Sequence, residues 1–508
     1  MRRPLFAALA ILCVLAALPA VAQDLASFEK RTTVHTLDNG WTFIIVERPV
    51  APVFSFATFV DVGSAQEVPG ITGLAHMFEH MAFKGTPNIG TTDHEAEAAA
   101  IEKLEAAYQA WQAENLSPSP DEAKLADLWS AFEAAQTDAE QYVIPNQFGE
   151  FIDREGGVGL NAFTNADVTG YFYSLPANKT ELFAYLESER FLHPVFRQFY
   201  KERDVVKEER RLRTESQPVG RLVEQMLSVA FIAHPYKQPT VGYMSDLNTF
   251  TLTDAREFYE TYYTPNNMVT AVVGDVDPDQ LIPLIETYFG RVPAGPKPPP
   301  LRTVEPPRIA ETEVRIPDPS QPFYAEGYLK PAATDADQAV YDAINDILSR
   351  GRTSRLYRKL VRDEKIAVAS ASLSGFPGEK YKNLWIAYAI PARGVDNDAV
   401  QASMREEIER LKSEPVTDAE LERFKTRSKA DLLRSLRSNQ GLANALVQYA
   451  TLYGDWRELF REIDRIEKVS KEDIQRVANE TFTNTNRVVA MIVTETAEAE
   501  AADAGSGS

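Results

Sequence analysis

The sequence predicts an α+β protein built as two homologous halves, with a helical hairpin inserted in the first. Three observations carry that reading. β-Branched and aromatic runs are followed by amphipathic helical stretches. A helix–turn–strand unit occurs twice. A proline-rich segment lies between the two copies.

The chain of 508 residues is long enough for two or more domains. Its 44% hydrophobic and 25% charged residues are ordinary for a soluble globular protein. The net charge of -21 repels nucleic-acid phosphate, which excludes that partner, and it favours solubility. At the N-terminus, Arg2 and Arg3 precede an apolar run from Leu5 to Leu18. Ala20-Val21-Ala22 then offers a small-x-small cleavage site. Residues 1–22 are therefore expected to be a signal peptide that sends the chain to the periplasm. No later stretch is apolar enough to span a bilayer. The single cysteine, Cys13, falls inside the signal. The mature chain is thus expected to lack disulfides, a thiol nucleophile and sulfur ligands, so any metal must be held by His, Asp or Glu.

The first half is expected over 23–290. Trp41 to Val46 and Val53 to Val60 read as strands, with Asp38-Asn39-Gly40 as a turn. A short helix follows, from about Thr72 to Phe83. Residues 93–142 change composition towards Ala, Glu, Gln, Lys and Leu. There, Ile101, Leu104, Tyr108 and Trp111 form one helical stripe, and Leu125, Leu128, Phe132 and Ala135 form another. Pro118 and Pro120 separate them, so this is read as an antiparallel hairpin whose stripes pack on each other. Strand character returns from Gly156 to Tyr173. Helices follow from about Lys179 to Phe191 and from Tyr200 to Glu215.

Residues 291–307 are the proline-rich linker, and the second half is expected over 308–496. Across the linker, Thr251 answers to Ser470 and Met268 to Arg487 without a gap. Each copy carries a capped helix, an aromatic, a polar turn ending in Asn and an apolar strand. The acidic, then Gly/Ser-rich tail at 497–508 is expected to be disordered.

The chemistry is concentrated in Gly73-Leu-Ala-His76-Met-Phe-Glu79-His80-Met81. Residues four apart on a helix share a face, so His76 and His80 can reach one ion, with Glu79 beside them. The chain has six histidines in all, which makes this spacing specific. Two imidazoles and a carboxylate leave a zinc position open for water, the catalytic arrangement. Glu79 is positioned to take that water's proton. The third ligand is sought in Tyr200-Lys-Glu202-Arg-Asp-Val-Val-Lys-Glu208-Glu209-Arg-Arg211. Glu202 and Glu209 stand two turns apart on one face; Glu208 is adjacent, and spacing leaves it open.

H-x-x-E-H followed by E-R-D-V-V-K-E-E resembles the pitrilysin/insulinase (M16, inverzincin) metallopeptidases, including smaller bacterial members and mitochondrial processing peptidase. The resemblance covers nearly the whole mature chain. It implies halves that enclose a chamber, each of two related α/β subdomains, and one Zn2+ held by His76, His80 and Glu209. It implies Glu79 as the catalytic base and Glu202 as a supporting carboxylate. The stretch Gly159-Leu-Asn161-Ala162-Phe-Thr164, followed by Asp167, Thr169 and Tyr171, is similar to the family's substrate strand. That assigns Asn161 and Ala162 to the peptide backbone. The segment from Ser349 to Val361 is similar to a family signature near an arginine and a tyrosine that bind the scissile carbonyl. Arg362 fits the arginine, but Val368 and Ala369 stand where the tyrosine is expected. This implies a dimer, including a heterodimer with a zinc-free subunit that supplies the Arg/Tyr pair. The expected function is a zinc-dependent endopeptidase acting on peptides or unfolded polypeptides. The alternative is a catalytically weak peptide-binding or scaffold subunit that works with a partner.

Overall fold

The computed structural model describes residues 25–494. The predicted signal peptide with Cys13, and the tail at 497–508, lie outside the described residues. The first half is built on β1 (Thr32–Thr36), β2 (Thr42–Glu47), β3 (Val53–Val60), β4 (Val158–Thr164), β5 (Thr169–Pro176) and β6 (Met268–Gly274). They form one sheet in the order β1-β2-β6-β3-β5-β4. The second half is built on β7 (Thr312–Asp318), β8 (Phe323–Lys330), β9 (Ala367–Phe376), β10 (Asn383–Pro391) and β11 (Arg487–Thr494), in the order β7-β11-β8-β10-β9.

Apart from β1, the two orders are the same pattern. β2 pairs parallel with β6 as β7 does with β11, and the other pairings are antiparallel. The repeated unit explains this. Thr251 and Ser470 each cap a helix with a reciprocal capping box to Asp254 and Asp473. Those helices lead to β6 and β11, which lie near the middle of their sheets. Between the helix ending at Phe289 and β7 at Thr312 the chain runs without helix or strand.

Each half holds one sheet, rather than the two subdomains the family resemblance implies. The reason lies in how the sheet faces are covered. One face of each sheet packs on helices of its own half. The other face is covered by a helix from the opposite half. Leu442, Ala443, Leu446 and Val447 of the helix Asn439–Tyr453 pack on Ile44, Val46, Ala57 and Val273 of the first sheet. Leu222, Met226, Leu227 and Ala230 of the helix Pro218–Ala230 pack on Ala325, Ile386, Val488 and Ala490 of the second. Each fully buried Leu or Val contributes about 1.5–3 kcal/mol. The exchange therefore seals both sheets and ties the halves together.

The halves enclose a cavity of about 280 Å3, lined by Phe59, Asp167, Gly378, Lys380, Gln448 and Leu452. The His/Glu motif does not line it. Asp167 spans the junction, accepting hydrogen bonds from the backbone N–H groups of Glu379 at 2.6 Å and Lys380 at 3.1 Å, and from the Tyr236 hydroxyl.

The inserted hairpin consists of the helices His94–Asn115 and Glu122–Glu140. Its stripes do more than pair with each other. Tyr108 is fully buried, with its ring 4.3 Å from Tyr200 and 5.3 Å from Phe132. Tyr200 belongs to the helix Phe199–Arg210, which also carries Glu202 and Glu209.

Candidate metal centre

The helix Leu74–Met81 begins at Gly73, whose φ of 96° requires glycine; a Cβ there would also meet the Val241 carbonyl oxygen at 2.8 Å. Glu67 caps this helix from outside it, accepting from Gly73 N at 2.8 Å and Ala75 N at 2.7 Å. Leu74, Ala75, Met77, Phe78 and Met81 are buried and fix the helix rotation. That leaves His76 and His80 facing the helix Phe199–Arg210.

There the structure brings three predicted residues together. His76 Nε2 lies 3.7 Å from Glu209 Oε1, and His80 Nε2 lies 3.4 Å from Glu209 Oε2. One ligand atom from each of the three lies within 4.8 Å of the others. Glu208 points away; its side chain is 58% exposed and pairs with Arg211 at 3.2 Å. Glu202 Oε1 is 2.9 Å from His80 Nδ1, on the opposite edge of the ring, and Glu202 Oε2 is 2.5 Å from Lys84 Nζ. This contact holds the proton on Nδ1 and turns the Nε2 lone pair towards Glu209.

Two imidazole lone pairs and a carboxylate facing one another repel unless a cation lies between them. Burial, then the nearby charges of His80 and Arg213, lower the His76 pKa to about 3. Its ring is therefore neutral at physiological pH, the form that offers a nitrogen lone pair to a metal. The His76 Nδ1 atom is buried without a partner, consistent with the other nitrogen being the working one. The donor set thus fits one divalent ion with an open coordination position. Burial acts to lower the His80 pKa, but the Glu202 hydrogen bond and the charges of Glu202, Glu209 and Glu79 outweigh it and raise it. Burial raises the Glu79 pKa, against a hydrogen bond from Thr164.

A cavity of about 400 Å3 opens beside the cluster, lined among others by Glu79, His80, Phe83, Ile144, Phe148 and Glu202. Every lining residue comes from the first half, and Val143–Phe148 is the return of the inserted hairpin. β4 is the outer strand of its sheet and lies against the motif helix. On it, Asn161 is exposed and Ala162 is buried; Asn161 Oδ1 accepts from Ala162 N at 2.9 Å.

Arg362 does not join the cluster within this chain. It is exposed on a second-half helical turn and pairs with its neighbour Asp363 at 2.6 Å. Val368 and Ala369 lie on β9, and Val368 is exposed. Sequence reasoning missed Lys84, Arg213 and the hairpin's contacts to the ligand helix. Arg213 follows Glu209 at a spacing of four that signals contact on a helix, whereas Lys84 lies beyond the end of the motif helix and meets Glu202 of another one. The hairpin contacts carry no such local signal.

Two family models match the chain: Insulinase (Peptidase family M16) over residues 42–114, and Peptidase M16 inactive domain over 249–428. The zinc protease PqqE of Helicobacter pylori is 30% identical over 464 residues, covering 89% of this chain and 90% of that protein. A crystal structure of a protease from Helicobacter pylori is similar with a TM-score of 0.76 and 26% identity, covering 91% and 99% of the two chains. The periplasmic protease PqqL from Escherichia coli is similar with a TM-score of 0.67 and 18% identity, covering 93% of this chain and 48% of that one. The chain belongs to the insulinase (M16) peptidase family.

Proposed function

We propose that this chain is a zinc-dependent endopeptidase of peptides or unfolded polypeptides. The observation that carries the reading is the convergence of His76 Nε2, His80 Nε2 and the Glu209 carboxylate from two helices onto one point. In this reading those three hold one zinc ion, and Glu202 orients His80 through Nδ1. A zinc ion held there supplies Lewis-acid chemistry that makes hydroxide available near neutral pH. Glu79 accepts the proton of the attacking water on a carboxylate oxygen and returns it to the leaving amine nitrogen. Its raised pKa makes it a stronger base for taking that proton. The peptide adds as a strand to the free edge of β4, with the backbone of Asn161 and Ala162 as its partners.

The exposed, Asp363-paired Arg362 supports a dimeric enzyme, in which a second subunit brings an arginine towards the site. The hollow beside the motif, walled by the first half alone, leaves one side for that subunit. We assign the protein to the periplasm, from its N-terminal segment and its likeness to a periplasmic protease. Among the described residues no helix is long and apolar enough to cross a membrane.

The test combines zinc analysis with hydrolysis of a peptide library, alone and with candidate partner subunits. One zinc per chain and cleavage abolished by Glu79→Gln are expected. Zinc without cleavage under every pairing would overturn the peptidase reading and favour a peptide-binding subunit.

A further inference from the structure

Two cations touch the metal-site carboxylates. Lys84 is held by Glu202, across the His80 ring from Glu209. Arg213 differs: its Nη1 lies 2.5 Å from Glu209 Oε1, while its side chain remains 77% exposed. It sits on the turn Arg211–Glu215, which continues the ligand helix with a wider winding; Ser216 N bonds to the Arg211 carbonyl five residues back at 2.8 Å. Such widened turns inside helices recur at functional sites. Here the turn carries Arg213 back over the ligand that precedes it by four residues.

We propose that Arg213 is a substrate-binding residue of this site, one edge of its guanidinium holding Glu209 and the other meeting the carbonyl oxygen under attack. The proposal rests on the peptidase reading above. A guanidinium has five N–H donors in a fixed fork, and Glu209 is its one ion-pair partner among the described residues. Water attack on a peptide bond moves negative charge onto the carbonyl oxygen. A cation already in place there binds the transition state more tightly than the substrate. Lys84, engaged behind the ring, is not placed to do this.

The experiment compares Arg213→Ala and Arg213→Lys with the parent in zinc-loaded protein. Three quantities are measured: zinc affinity, steady-state kinetics, and affinity for a peptide with a phosphoramidate in place of the scissile amide. The same peptide with its amide intact is measured in the Glu79→Gln background. Arg213→Ala is expected to keep its zinc and to bind the phosphoramidate peptide about 100-fold more weakly, with the loss of kcat/KM mostly in kcat. The amide peptide should weaken far less, and added free guanidinium should restore part of the rate. Arg213→Lys, which keeps the charge but loses the fork, should fall between. Unchanged phosphoramidate affinity overturns the proposal. So does parallel loss of zinc, which would make Arg213 a support for Glu209 alone. A parent that binds zinc and the phosphoramidate but cuts no peptide sinks the peptidase reading, while the affinity comparison still decides the role of Arg213.

Discussion

The Arg203 guanidinium donates to the Tyr108 hydroxyl at 2.6 Å and to the Phe250 carbonyl at 3.1 Å, both as buried contacts. Arg203 lies next to Glu202 on the ligand helix, and Tyr108 lies on the inserted hairpin. The same interface holds the Tyr200 hydroxyl against Glu105, and Arg197 against Glu97 with two bonds of 2.6 and 2.7 Å. The hairpin is therefore a brace for the helix that carries Glu202 and Glu209.

Removing the brace should loosen Glu209. Tyr108→Ala leaves a buried cavity and deprives Arg203 of a partner, and is expected to destabilise the protein by about 3–5 kcal/mol. Denaturant unfolding measures that loss. Zinc titration of the variant under native conditions should show weaker binding, although Tyr108 touches no ligand. Unaltered zinc affinity in a folded variant would mean the hairpin is dispensable to the site.

The metal ligands and their support should separate by degree. His80→Ala is expected to abolish stoichiometric zinc binding. Glu202→Ala, which frees His80 Nδ1, should weaken binding by about 10–100-fold. Glu79→Gln should retain the metal while kcat falls by at least about 100-fold. Metal analysis and kinetics on the three proteins check this ranking. Chelation should abolish activity, and added zinc should restore it.

Zinc uptake should depend on pH in a defined direction. Without metal, His80 has a pKa raised above 6.5, chiefly because Glu202 overcomes the effect of burial. Below that pKa the ring is protonated, and the proton competes with the metal at Nε2. Affinity should therefore fall as pH drops through this range, by about tenfold per unit once His80 is fully protonated. Calorimetry in buffers of different ionisation enthalpy should detect a released proton. Glu202→Gln should move the dependence to lower pH, because it removes the group that raises the pKa.

The junction between the halves should unfold with them. Asp167 receives three hydrogen bonds across or beside the junction, and Lys380 pairs with Asp61 at 2.5 Å. Asp167→Ala leaves those buried donors without an acceptor and is expected to cost about 2–4 kcal/mol. It should also lower the temperature of the single unfolding transition, because the exchanged helices still tie the halves together. A scanning calorimetry trace that stays unshifted would argue against this role.

Much of this protein was legible in the chain itself. The H-x-x-E-H spacing presents His76 and His80 on one face of any helix, because helical geometry is local. The repeat of Thr251–Val273 at Ser470–Ile492 foretold two homologous α+β halves, because capping boxes and strand periodicity are local too. Tertiary structure decided what depends on distant partners. It chose Glu209 over Glu208, since the choice turns on which way the ligand helix rolls against Tyr108 and Arg203. It set each half on a single sheet, because the open faces are covered by helices exchanged between the halves. It also left Arg362 beside Asp363 and brought Arg213 against Glu209. Sequence spacing fixes which face a side chain leaves its helix on; the packing of that helix against others fixes what it meets.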